Sequence, residues 1–306
     1  MNKVLRKVQS SFTSPFWAII VPYGWLLLFF LIPFLIVLKI SFSDLKLGLP
    51  PYSPLTEWVE QGVLVIKLNF TNYSFIGTDA LYLFTYLDSL IIAIIGTLGC
   101  LCIGYPMAYG IAKTDPPLRI VLLMMVILPF WTSFLLRVYA WIGILSPHGF
   151  LNTALIKIGL ITTPLTLIDT TFATILGIIY CYLPFMILPL FASLEKIDHS
   201  LVEAAYDLGA RPFQAFLRVI WPLSMPGVIA GSMLVLIPAV GEFVIPELLG
   251  GSQTLMIGKV IWNEFFTNRD WPVASALAVL MLIFLIIPIA IFQRLQERQV
   301  RFLDAD

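Results

Sequence analysis

Charge is scarce in this chain. Lys and Arg number 18, Asp and Glu number 18, and together they make up 12% of 306 residues, about half the share of a soluble domain. The two signs cancel, so no overall field attracts nucleic acid or another highly charged partner. Cysteine is rarer still. Cys100, Cys102 and Cys181 all lie in apolar runs, where thiols act as small buried hydrophobes, and a disulfide framework is excluded. The two histidines, His148 and His199, sit apart in polar loops, so the tight Cys/His spacing of a structural zinc site is missing. Neither G-x-S-x-G nor H-E-x-x-H occurs, which removes the apparatus of a hydrolase. GSQTLMIGKV (251–260) has six residues between its glycines and Val260 after the lysine. A P-loop needs four residues there and a Ser or Thr to hold magnesium. No catalytic residue, metal ligand or cofactor site is expected in this chain.

What is abundant is apolar sequence, at 59% of residues with a mean hydropathy of +0.95. A helix of about 20 apolar residues crosses a bilayer, and six stretches qualify: 17–39, 88–112, 120–145, 171–193, 226–248 and 272–293. The first is too long for the core of a signal peptide and is expected to stay as a helix. With the N-terminus inside, eleven Lys and Arg fall in inner segments and six in outer ones, and Arg137 lies within a span. That bias places both termini in the cytoplasm. On the second span Gly96, Cys100, Gly104, Ala108 and Ala112 recur every fourth residue, a ridge that lets another helix approach closely.

The inner segment IDHSLVEAAYDLGARPFQAFLRVIWPLSMPG (197–227) reads as two short helices. Ser200 and Glu203 have capping-box spacing, so the first begins at about Leu201. Leu201, Val202, Ala205 and Leu208 give it an apolar stripe. Gly209 suits a left-handed turn at its end, and Pro212 suits the first turn of the next helix. Glu203-Ala204-Ala205, three residues, Gly209, then nine residues to Val219-Ile220-Trp221-Pro222 resembles the EAA loop of ABC-importer permeases. The family pattern closes on Ile-x-Leu-Pro, so Val219 and Trp221 depart mildly from it.

The resemblance implies an all-α, polytopic fold of the type I ABC-importer permease kind, with six transmembrane helices and a cytoplasmic coupling loop. It implies a cytoplasmic tail over 1–16, a permease domain over 17–293 (core about 85–293, coupling loop 197–225) and a second tail over 294–306. Glu203, Ala204, Ala205, Asp207, Gly209, Arg211 and Pro212 would meet a separate ATPase subunit, which binds the ATP and Mg. Further along, PYGWLLLFFLIPFLIVLKIS (22–41), LPFWTSFLLRVYAWIGIL (128–145), IPAVGEFVIPELLGG (237–251) and NRDWPVASA (268–276) are similar to putrescine-type permeases of the polyamine importers. Those importers imply a second related permease, two ATPase subunits, a periplasmic polyamine-binding protein and the bacterial inner membrane.

One question remains within the spans. Glu242, and Glu247 at the outer edge, stand beside Pro238, Gly241 and Pro246, although a carboxylate at the bilayer centre costs about 2.5–3.5 kcal/mol on insertion scales. Polyamines are flexible cations with apolar stems, and a path for them needs carboxylates and aromatic faces. Glu242, Glu247, Asp88, Trp131, Tyr139 and Trp141 are the candidates. Three readings of Glu242 stand side by side: contact with substrate, an ion pair or gate with Arg137, and exposure at the membrane interface. Glu247 either joins the path or meets water and the binding protein. A spermidine or other organic-solute importer, and an ATPase-independent secondary transporter, are the alternative functions.

Overall fold

A computed structural model describes residues 15–59, 63–252 and 254–303. The expected N-terminal tail lies outside them except for its last two residues, and so do Lys3, Arg6 and Lys7. Two compact units divide the chain, Met1–Thr78 with Glu264–Leu280 and Asp79–Asn263 with Met281–Asp306.

In the first unit, helix α1 runs over Pro15–Leu26, a π turn at Leu27–Leu31 and Ile32–Ser41. Its span Ile19–Ser41 buries none of its membrane window within the chain, while Phe34, Val37 and Leu38 are half-buried and Ile40 is buried near its end. Strands β1 (Thr56–Val59) and β2 (Val63–Ile66) pair antiparallel, Thr56 opposite Ile66, a short hairpin added to an otherwise helical fold. Helix α2 (Thr71–Thr78) is tied to the end of α1 by polar contacts. Asn72 donates to the carbonyls of Ser41 and Ser43 at 3.0 and 2.9 Å, and the hydroxyls of Tyr73 and Ser41 lie 2.7 Å apart.

The second unit is built on three helices: α3 (Ala80–Ala112), α7 (Thr171–Leu194) and α9 (Pro212–Val240), which pack on one another. The small-residue ridge explains how. Cys100 and Ala108 are fully buried, and a Cβ on Gly96 would meet Ile178 at 2.7 Å. Where α7 crosses α9, a Cβ on Gly227 would stand 2.7 Å from the Pro189 carbonyl. Polar groups inside this core pair with each other: the hydroxyls of Tyr105 and Ser224 are 2.8 Å apart.

Among the described residues six helices are long and apolar enough to cross a membrane, but two spans differ from the hydropathy reading. The stretch 120–145 is two helices, α4 (Pro116–Trp131) and α5 (Phe134–Leu145). Pro129 tightens the end of α4 into a 3-10 turn, and Thr132 and Ser133 are extended. Hydropathy averages over such a break. The third crossing helix is Phe134–Lys157, in which α6 (Phe150–Lys157) follows α5 after a turn.

The stretch 226–248 also differs. Helix α9 starts much earlier, at Pro212, passes through a π turn at Phe216–Ile220 and stops at Val240. The expected second short helix of the loop is therefore the start of this span. After the break come α10 (Val244–Leu249) and α11 (Ile257–Trp262). The last helix, α12 (Trp271–Leu303), continues through most of the expected C-terminal tail, and residues 304–306 lie outside the described part.

Candidate functional site

Helix α7 is 24 residues long, and Tyr182 stands at its middle. Its hydroxyl donates to Glu242 Oε2 at 2.5 Å. The break in α9 therefore sits near mid-depth of the bundle, with its carboxylate turned inward and only 8% exposed. Glu242 Oε1 accepts from the backbone N–H of Val244 at 3.0 Å and of Ile245 at 3.4 Å. Interrupted backbone at membrane depth is tolerated where protein surrounds it, and Glu242 supplies acceptors for N–H groups that no preceding turn satisfies. Interface exposure, one of the three readings of this residue, is thus excluded.

The ion pair with Arg137, another of the three readings, is not formed among the described residues. Arg137 is 8% exposed, and its Nε and Nη1 have no hydrogen-bond partner among the described residues. Its guanidinium lies instead 5.1 Å from the ring centre of Phe130 and 5.6 Å from that of Phe134. Cation–π contact of this kind contributes about 0.5–2 kcal/mol, while a buried unsatisfied donor costs about 1–3 kcal/mol.

The other candidates are scattered more widely. Trp131, at the end of α4, is 79% exposed and Tyr139 is 56% exposed. Trp141 packs edge-on against Tyr180 at 5.4 Å. Asp88 is not at the start of its helix but more than two turns inside α3, where it lines a cavity of about 180 Å³ with Thr171, Thr254 and Leu255. That cavity does not include Glu242. Glu247 is bonded to Lys259, whose Nζ lies 3.0 Å from its Oε2. Tyr182, Phe130, Phe134 and Lys259 were not singled out in the sequence. Tyr182 did leave a trace, since a hydroxyl in the middle of an apolar span needs a partner.

At the opposite end of α7 and α9, helix α8 (His199–Asp207) projects from the bundle. Its cap is Asp198, not Ser200, and the helix begins two residues before Leu201. The Asp198 carboxylate accepts from the Ser200 N–H at 2.9 Å. Hydrogen bonds from the Ser200 backbone and hydroxyl hold that carboxyl below the usual carboxylate range. Gly209 has φ +82°, the left-handed turn expected of it. The Arg211 N–H donates to Gln214 Oε1 at 3.0 Å, and Pro212 opens the next helix.

The apolar stripe of α8 is divided between two directions. Val202 and Ala205 are half-buried, whereas Leu208 is 90% and Phe213 71% exposed. Glu203 and Tyr206 border a cavity of about 290 Å³ with Lys113, Arg119, Glu195 and His199. Arg119 pairs with Glu195 at 2.7 Å and also reaches the carbonyls of Ala112 and Thr114. That network braces the foot of α3 and α7 under α8.

Six candidate spans among the described residues, with a bent loop at one end of α7 and α9 and a broken, carboxylate-bearing helix beside the middle of α7, define a permease-like membrane subunit. The chain belongs to the family described as binding-protein-dependent transport system inner membrane component, which matches residues 100–302. It is a multi-pass inner-membrane transport subunit and not a catalyst.

In particular it is 43% identical over 273 residues to the spermidine/putrescine transport system permease protein PotB of Haemophilus influenzae, covering 89% of this chain and 90% of that one. With the protein of the same name from Escherichia coli (strain K12) it shares 41% over 273 residues, covering 89% and 94%. Among solved structures, a bacterial ABC transporter that imports the acidic polysaccharide alginate has a chain of the same fold. The TM-score is 0.66 at 18% identity, over 96% of this chain and 99% of that one. The methionine transporter MetNI in an inward-facing form gives 0.54 over 71% and 95%.

Proposed function

We propose that this chain is one permease half of an ATP-driven polyamine importer, with putrescine the favoured substrate. The observation that carries the reading is the identity of 40–43% over about nine-tenths of the chain with permeases named for spermidine and putrescine. The buried carboxylate at the helix break supports it, because a path for an alkyl dication needs acceptors at depth. In this reading Glu242 is held closed by Tyr182 in the present conformation. It becomes available to an ammonium group when α9 moves against α7, and Arg137 limits the negative field around it.

Energy comes from outside the chain. Helix α8 with Glu203, Ala204, Ala205, Asp207, Gly209, Arg211 and Pro212 seats on one of two ATPase subunits in the cytoplasm, and the exposed Leu208 and Phe213 supply apolar contact. A second, homologous permease completes the path, a periplasmic binding protein delivers the substrate, and both termini lie in the cytoplasm. Trp131 and Tyr139, exposed here, contribute to the path between the two permeases.

The test is ATP hydrolysis and uptake by the purified complex in vesicles. A polyamine-loaded binding protein should stimulate both, and labelled putrescine should compete better than spermidine. Glu242→Gln should lower putrescine uptake while the ATPase still co-purifies. Uptake that persists without the ATPase would favour a secondary transporter instead.

A further inference from the structure

The segment 241–262 holds a second polar site, distinct from Glu242. The N–H of Thr170, the cap of α7, donates to the Leu249 carbonyl at 3.2 Å, so α10 and the turn that follows it lie at the end of α7 opposite α8. Gly250 and Gly251 turn the chain between them, Gly251 with φ +62°. Lys259, on α11, reaches back over this turn. Its ammonium lies 3.0 Å from Glu247 Oε2 and 3.0 Å from the Gly251 carbonyl. Burial of the two partners is unequal. The lysine side chain is 11% exposed and the glutamate side chain 52%, so the carboxylate opens outward with an ammonium beneath it.

A lysine side chain is a primary ammonium on a four-carbon stem, and putrescine is the same unit with an ammonium at both ends. Carboxylate plus carbonyl is the acceptor set that a substrate ammonium would seek here. We infer that Lys259 is a built-in competitor for this acceptor, a specificity-setting residue that occupies Glu247 and Gly251 until a polyamine displaces it. The inference rests on the polyamine reading above.

Three physical points support a competitor over a simple brace. A tethered group acts at an effective concentration on the order of millimolar, so weak solutes in the medium fail to displace it, whereas cargo released at the mouth by a binding protein succeeds. The exposed carboxylate gives the incoming group a point of attachment before the lysine leaves. A monoamine gains only what the lysine loses, whereas a diamine keeps a second ammonium for a deeper acceptor, so exchange favours the polyvalent cation.

The test is equilibrium binding of labelled putrescine and of n-butylammonium to the whole importer complex in nanodiscs, without binding protein. Lys259→Gln, and Lys259→Met as a second uncharged variant, should bind putrescine about three- to tenfold more tightly, as expected when a tethered competitor is removed. They should also gain binding of n-butylammonium. Lys259→Arg should resemble the wild type, and Glu247→Gln should bind more weakly than any of them.

Unchanged or weaker putrescine binding in the uncharged variants, with a lower thermal midpoint, would make the pair a brace and overturn the inference alone. No polyamine binding by the wild-type complex would overturn the polyamine reading as well.

Discussion

Glu242 is held by three donors, and each has its own cost of removal. Tyr182→Phe takes away the hydroxyl that meets Oε2 and leaves a buried carboxylate short of a partner, which costs about 1–3 kcal/mol. The thermal midpoint of the detergent-purified protein should fall accordingly. Glu242→Gln keeps an oxygen for the Val244 and Ile245 N–H groups, so its loss of stability should be smaller than that of Glu242→Leu, which keeps none. Arg137 runs the other way. With two buried nitrogens unpartnered among the described residues, it is a debit in this conformation. Arg137→Met should be neutral or stabilising by thermal denaturation. If the same variant slows transport, Arg137 acts on the cycle rather than on the fold; a large drop in midpoint would show that it has a partner after all.

At the scale of elements, the crossing of α7 and α9 leaves no room for side chains. Gly227→Ala would place a methyl group 2.7 Å from the Pro189 carbonyl and 3.1 Å from the Leu190 Cα, so backbone must part. Overpacking of this kind costs about 1–3 kcal/mol, measurable as reduced yield of folded protein and a lower midpoint. Helix α8 carries a pH dependence. Its cap Asp198 has a folded pKa below its unfolded value, so the stabilisation is present above the ordinary carboxylate pKa, about 3.9. It is lost as pH falls through the folded value. Amide exchange at 199–202, corrected for intrinsic rate, should therefore be protected at pH 7 and lose protection below about pH 4. Asp198→Asn, which keeps the cap without the charge, should abolish that pH response while the helix persists.

For the whole molecule, the proposed assembly demands two separable failures. Leu208→Asp and Phe213→Asp alter side chains that are almost free of the chain's own contacts, so folding should be untouched. In the assembled importer they should weaken retention of the ATPase, measured by co-purification, and reduce uptake in proportion. Sidedness follows from labelling. Leu208→Cys should react with an impermeant reagent only in inside-out vesicles, and Glu247→Cys only in right-side-out ones. The reverse pattern would overturn the orientation read from Lys and Arg counts, and reaction of both from one side would overturn their placement on opposite faces.

The amino-acid sequence by itself determined the class of solvent, the number of candidate spans and the loop around Gly209. Those depend on local quantities: length of apolar run, the φ that only glycine takes easily, and residues at fixed spacing such as Glu203-Ala204-Ala205 and Gly209. It also flagged Glu242 as anomalous, because the cost of a charge in an apolar segment is visible without coordinates. Tertiary structure decided the rest. Hydropathy could not see that 120–145 breaks at Thr132 and Ser133, since Pro129 inside an apolar run leaves the average unchanged. Nor could it choose among partners for Glu242. Arg137 is nearer in chemical logic, but Tyr182 stands 60 residues away in sequence and 2.5 Å away in space, and only the packing of α7 against α9 brings them together. The pairing of Lys259 with Glu247 was hidden for the same reason: a left-handed turn at Gly251 folds α11 back on α10, and long-range contact is a property of the folded chain, not of its spacing.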